Sequence, residues 1–113
     1  MHELSLMEAV RQQVLVEAER HGAQRIEAIT LRVGSLAGVD PEALALAFEV
    51  VMAESIAAGA RLLIESVPAL ARCPACLGTY PVLNGICLCP HCGGLGGHLL
   101  QGRELQLATL ELE

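Results

Sequence analysis

Cys73-Pro74-Ala75-Cys76 and Cys89-Pro90-His91-Cys92 are the same C-P-x-C turn written twice, with twelve residues between them. Two-residue spacing lets both sulfurs of a tight turn face one ion, and two such turns complete a tetrahedral site of four sulfurs. Glycine follows closely, Gly78 after the first turn and Gly93 with Gly94 after the second, which frees the backbone to aim N–H groups at sulfur. Any fold of this chain must bring the two turns together. Thiolate softness favours zinc, with a rubredoxin-like iron as the competing ion and a redox-active thiol pair as a third reading. A closed shell of four cysteines contributes folding energy rather than catalysis. Cys87 falls outside the repeated frame and is expected to be a free thiol. His91, inside a turn whose ends are already committed, is expected to be a bystander.

The preference for metal over disulfides depends on compartment. No apolar run approaches the roughly 20 residues that span a bilayer, and Glu3, Glu8, Glu17 and Glu19 sit where a signal peptide would be uncharged. The chain therefore reads as cytoplasmic, where thiols stay reduced, and no membrane partner is expected. A net charge of −6, with 7 Lys and Arg against 13 Asp and Glu, opposes binding to a phosphate backbone, and the near absence of aromatic rings removes base stacking. Nucleic acid is not an expected partner. No Ser, His and Asp set, open metal site or G-x-x-x-x-G-K loop is present, so an enzyme is not expected either.

At 113 residues the chain holds one ordinary domain and at most one small additional unit. Leu6, Met7, Val10, Val14 and Ala18 recur at helical spacing from Leu4 to about Arg20, and Gly22 follows as a helix stop. Ile29, Leu31 and Val33 alternate with polar residues in a strand over 26–33. Asp40-Pro41-Glu42 combines an N-cap, a proline at the first helical position and a first-turn acid, opening a second helix. Its apolar positions, Leu44, Ala47 and Val51 with Ala43, Leu46 and Val50, predict a broad buried face. Arg61–Val67 reads as a strand ended by Pro68. The tail from Arg103 to Glu113 reads as another, with a change of phase near Ala108 and Thr109 that a bulge would reconcile. The expected fold is α+β: two helices packed on a three-stranded sheet, formed by 1–69 plus 99–113, with a small zinc-ribbon-like four-cysteine domain inserted at 70–98. Gly93, Gly94, Gly96 and Gly97 should make the return limb pliable.

The other end of the chain offers a second donor set. The α-amine of Met1, the deprotonated amide nitrogen of His2 and its imidazole can close fused chelate rings around a planar ion such as Ni(II) or Cu(II). Taken alone, Met1-His2-Glu3 could equally be a frayed terminus, with Glu3 serving the helix dipole.

The whole arrangement resembles the hydrogenase nickel-incorporation proteins, the HypA/HybF family of nickel metallochaperones. The carriers are Met1-His2-Glu3-Leu4-Ser5-Leu6, Leu31-Arg32-Val33-Gly34-Ser35-Leu36 with Gly38-Val39, Phe48-Glu49-Val50, the double C-P-x-C module and Gly102-Arg103-Glu104-Leu105. The resemblance implies nickel at Met1, His2 and Glu3, zinc at Cys73, Cys76, Cys89 and Cys92, and a nickel-binding domain into which the zinc domain is inserted. It further implies delivery of Ni(II) to the precursor of the [NiFe]-hydrogenase large subunit, with a nickel-binding GTPase as partner. A zinc-stabilised protein-interaction module without nickel transfer is the alternative. His98 is an additional candidate nickel ligand, and a homodimer is left open.

Overall fold

The computed structural model describes residues 2–113, except for the side chain of His2. Met1 and the His2 side chain, both in the expected nickel site, lie outside the described residues. The elements in chain order are α1 (His2–Arg20), β1 (Ile26–Gly34), α2 (Pro41–Met52), β2 (Arg61–Val67), β3 (Leu70–Arg72), β4 (Thr79–Pro81), β5 (His98–Gln101) and β6 (Leu105–Leu112). They form two three-stranded sheets, of order β2-β1-β6 and β4-β3-β5. Two helices with a three-stranded sheet, and a separate four-cysteine module, match the expected α+β class. The second sheet is an addition to it.

Two compact units emerge from the packing. One comprises Met1–Leu31, Val39–Glu65 and Gln106–Glu113, the other Arg32–Gly38 and Ser66–Leu105. In the first, α1 packs against α2, and the core is built from Met7, Val14 and Ala18 of α1, Ile26, Ala28, Ile29 and Leu31 of β1, and Leu44, Ala47, Phe48 and Met52 of α2. The α1 terminus follows its sequence signals closely. Gly22 takes φ +65, its N–H reaches Glu19 O, and Ala23 N–H reaches Ala18 O at 2.9 Å, the double bond pattern of a glycine-closed helix end. Asp40 caps α2 by accepting the Glu42 N–H at 3.0 Å.

The broad face predicted for α2 is corrected. Leu46 and Val50 are each 64% exposed, because Leu44, Ala47, Phe48 and Met52 already form the single stripe that faces the core, and a step of two residues turns Leu46 about 200° away from Leu44. The phase change in the tail strand is present as burial: Leu105 and Leu107 are half-buried in one phase, Ala108, Leu110 and Leu112 in the other.

The second unit contains β3, β4 and β5. β3 pairs antiparallel with β4, setting Ala71 opposite Tyr80, and antiparallel with β5, setting Ala71 opposite Leu99. Its core is Ala69, Ala71, Cys73, Tyr80, Val82 and Cys89, with Leu36, Cys87 and Leu99 packed against it. The loop after β1 is stitched into the same unit: Gly34 N–H donates to Glu104 O at 2.7 Å, Ser35 N–H to Val67 O at 2.9 Å, and Leu36 N–H to Gly102 O at 2.7 Å.

Candidate metal centre

The two C-P-x-C turns have equivalent backbones. In the first, Leu77 N–H donates to Cys73 O at 2.9 Å and Cys73 N–H to Gly78 O at 2.8 Å; in the second, Gly93 N–H donates to Cys89 O at 2.8 Å and Cys89 N–H to Gly94 O at 2.9 Å. Closing each turn requires a left-handed residue after the second cysteine. Gly93 supplies it at φ +73, whereas the first turn forces Leu77 to φ +63. That conformation costs a side-chain-bearing residue about 1–2 kcal/mol, and the Leu77 side chain, 70% exposed, recovers little by packing. Leu77→Gly is therefore expected to raise the stability of the metal-loaded protein by up to about 1 kcal/mol, a gain limited by glycine's greater freedom when unfolded. Chemical denaturation of the two proteins side by side checks this, and a loss of stability would contradict it.

Cys73, Cys76, Cys89 and Cys92 converge so that their sulfurs all lie within 4.8 Å of one another. Cys73 Sγ stands 3.5 Å from Cys92 Sγ and Cys76 Sγ 3.7 Å from Cys89 Sγ. Metal–sulfur bonds of about 2.3 Å in a tetrahedron require sulfur separations of about 3.8 Å, so the cage has the dimensions of such a site. Cys73 and Cys89 are buried while Cys76 and Cys92 are exposed, giving one protected and one accessible sulfur per turn. Among the described residues no second group of three or more metal-ligating side chains converges in this way.

Backbone donors prepare the cage for charge. N–H groups of Cys76 and Ala75 pull the Cys73 thiol down to about 6, so it is a thiolate near neutrality. Cys92 receives the Gly94 N–H, but the neighbouring sulfurs of Cys73 and Cys89, with local desolvation of a sulfur whose residue is otherwise exposed, outweigh that bond and push it up to about 11. Cys76 is likewise raised: the Gly78 N–H favours its thiolate, and Cys89, the same local desolvation and Cys73 together outweigh it. Four thiolates this close repel one another, and a dication resolves that repulsion. Protons held by Cys76 and Cys92 must leave when it binds, so acid opposes loading.

Glu3 Oε2 accepts the Asp40 backbone N–H at 3.2 Å, which fixes the third residue of the amino-terminal motif beside the start of α2. Sequence reasoning missed this link, because 37 positions separate the two residues and neither carries a local sign of the other. His98 lies exposed on β5, a strand rather than a plain loop, and His91 is exposed in its turn.

A further feature went unread. Leu77, Leu83, Ile86, Leu88 and Leu95 are all exposed, and Pro81, Leu83, Asn84, Ile86, Leu88 and Pro90 line a shallow groove. The available signal was charge: from Cys73 to Gly102 there is no Asp, Glu, Lys or Arg.

Comparison with known proteins places these features. The family described as hydrogenase/urease nickel incorporation, metallochaperone, hypA matches residues 1–112. The Hydrogenase maturation factor HypA of Synechococcus elongatus is 49% identical over 113 residues, covering 99% of each chain, and that of Geobacter metallireducens is 37% identical over all of both chains. Among solved structures, the Ni metallochaperone HypA from Helicobacter pylori shares the fold with a TM-score of 0.69 at 23% identity, covering 97% of this chain and 96% of that one. With a family match over nearly its whole length and a four-sulfur cage in its second unit, this chain belongs to the HypA family of nickel-incorporation metallochaperones, a family of metal carriers rather than enzymes.

Proposed function

We propose that the chain binds Ni(II) through Met1, His2 and Glu3 and delivers it to the precursor of the [NiFe]-hydrogenase large subunit, while Cys73, Cys76, Cys89 and Cys92 hold a structural Zn(II). In this reading 1–69 plus 99–113 form the nickel-binding domain and 70–98 the zinc-binding domain, working in the cytoplasm with a nickel-binding GTPase. The supporting observation is the cluster of four sulfurs, all within 4.8 Å of one another. A cage that spends all four donors on one ion holds it tightly, so a transferable ion needs a separate and more labile set.

The start of α1 at His2 suits that role. The first four N–H groups of a helix have no acceptor within it, so the amide of His2 can give up its proton to a metal bond without breaking a helical hydrogen bond. The positive end of the helix dipole disfavours a cation, and Glu3 in the first turn offsets it. Site assembly and release then involve only a terminus, where local opening costs little.

Ni(II) titration of untagged protein with a free Met1 amine tests the proposal. Wild type should bind one nickel per chain beyond its zinc. Removing the imidazole in His2→Ala should weaken binding at least about 100-fold, more than loss of a supporting hydrogen bond would. Equal affinity in the two proteins would exclude the amino-terminal site.

The second reading, a zinc-stabilised interaction module, draws on the exposed, charge-free apolar surface around Leu83 to Leu95, which has the character of a protein-contact patch. It predicts partner binding that is indifferent to His2→Ala and to nickel.

A further inference from the structure

Tyr80 is the chain's only tyrosine and is 1% exposed. From β4 its ring crosses Ala71 of β3 and ends against the return limb. A Cβ added to Gly97 would fall on the Tyr80 hydroxyl and stand 2.9 Å from both Tyr80 Cζ and Ala71 Cβ. Gly97 is therefore held as a cradle for the hydroxyl, and the pliability expected of this limb does not apply there. The hydroxyl itself is buried without a hydrogen-bond partner, an arrangement that folded proteins rarely leave standing. Cys87 is half-buried against the cluster that contains Tyr80, and its carbonyl accepts the Gly96 N–H at 3.1 Å, which sets it opposite the Gly96-Gly97 step.

We propose that the Tyr80 hydroxyl, seated on Gly97, turns to donate to the Cys87 sulfur, which is packed against the same cluster, and that this bond latches the segment entering the second C-P-x-C turn so that Cys89 and Cys92 release their metal slowly. Cys87 is then a positioning residue two steps before a ligand. The inference rests on the reading of the four cysteines as a zinc site. Phenolic O–H to sulfur is a weak bond in water but a useful one in a dry interior, where the alternative is an unpaired donor.

The test uses the zinc-loaded full-length protein and the rate of zinc transfer to an excess of a chromogenic chelator. Tyr80→Phe and Cys87→Ala should each speed release about threefold to tenfold, the size expected for losing one hydrogen bond. The double variant should be no faster than the faster single one. Cys87→Ser, which still offers an acceptor, should stay near wild type. Because the chain has one tyrosine and no tryptophan, the absorption edge of Tyr80 reports its hydrogen bond directly, and it should shift in Cys87→Ala but not in Cys87→Ser. Gly97→Ala should lose its zinc readily and be partly rescued by adding Tyr80→Phe, which removes the colliding oxygen. Multiplying rates in the double variant, or a Cys87→Ser protein as fast as Cys87→Ala, would overturn the latch with the zinc site intact. A wild-type protein that binds no zinc would instead remove the underlying reading and the latch with it.

Discussion

Cys73→Ser is expected to abolish zinc binding and to unfold the second unit with it. The Cys73 side chain is 1% exposed and lies in an apolar cluster of six buried residues, two of which are themselves cysteines. Such a core is too small to support a fold alone, and modules of this size depend on the metal for stability. Structural zinc contributes about 10–16 kcal/mol of apparent binding energy at neutral pH, comparable to the whole stability of about 5–15 kcal/mol that a domain has to lose. Serine cannot replace the donor, since its hydroxyl stays protonated where the Cys73 thiol, held near 6 by the Cys76 and Ala75 N–H groups, has already ionised. The sign of the acid response follows. Protons compete with zinc for the sulfurs, and because the metal-free Cys73 thiol titrates near 6, zinc should be lost from wild type in acid, at pH values below that, as it is lost from the variant at neutrality. Metal analysis of the purified variant should find no zinc, and amide resonances of 66–105 should collapse toward unfolded positions. One zinc per chain with intact dispersion would contradict the assignment of Cys73. Cys87→Ser serves as the control, because it should keep both.

The metal cage was legible in the sequence because its information is local: two cysteines three positions apart, twice, leave little freedom in how the sulfurs meet. The two helices, and the strands at 26–34, 61–67 and 105–112, were legible because each is long enough to show a period or carries an end signal such as Gly22 or Asp40. β3 and β4, of three residues each, and β5, of four, are too short to show any alternation, so the second sheet could only come from the structure. Leu77 could not be singled out either. Its left-handed backbone is imposed by turn closure, and nothing about leucine announces it. Leu46 and Val50 misled because apolar spacing says which residues share a helix face without saying which face the core takes. The link from Glu3 to Asp40 is tertiary and leaves no trace in either segment.

Gly34→Ala is expected to be the most damaging single-methyl change outside the cage. Gly34 belongs to the Leu31–Leu36 stretch and Gly102 to Gly102–Leu105, two segments on which the family resemblance rested without any physical account of why they occur together. The structure supplies one. Gly34 N–H donates to Glu104 O, Leu36 N–H donates to Gly102 O, and Gly102 N–H is in turn held by Glu104 Oε1 at 2.8 Å. A Cβ on Gly34 would collide with the carbonyl of Gly102 and stand 2.6 Å from Arg103 N. Gly102 cannot retreat, since it is itself at φ +126 with its own Cβ position 2.7 Å from Ala69 Cα. The atoms in the way are backbone on both sides, so no rotamer change relieves the overlap, and the added methyl must part strands that are hydrogen-bonded across the contact. Overpacking usually costs 1–3 kcal/mol where side chains can adjust, so here about 3 kcal/mol or more is expected, a fall in Tm on the order of 10 °C for a domain of this size. Thermal unfolding of the zinc-loaded variant measures it. Gly22→Ala is the comparison that isolates the cause. Its added Cβ meets nothing within 4 Å, so it should lose only the roughly 1 kcal/mol of a left-handed helix cap. If the two variants unfold at the same temperature, close approach of the two glycine segments is not what holds the unit together.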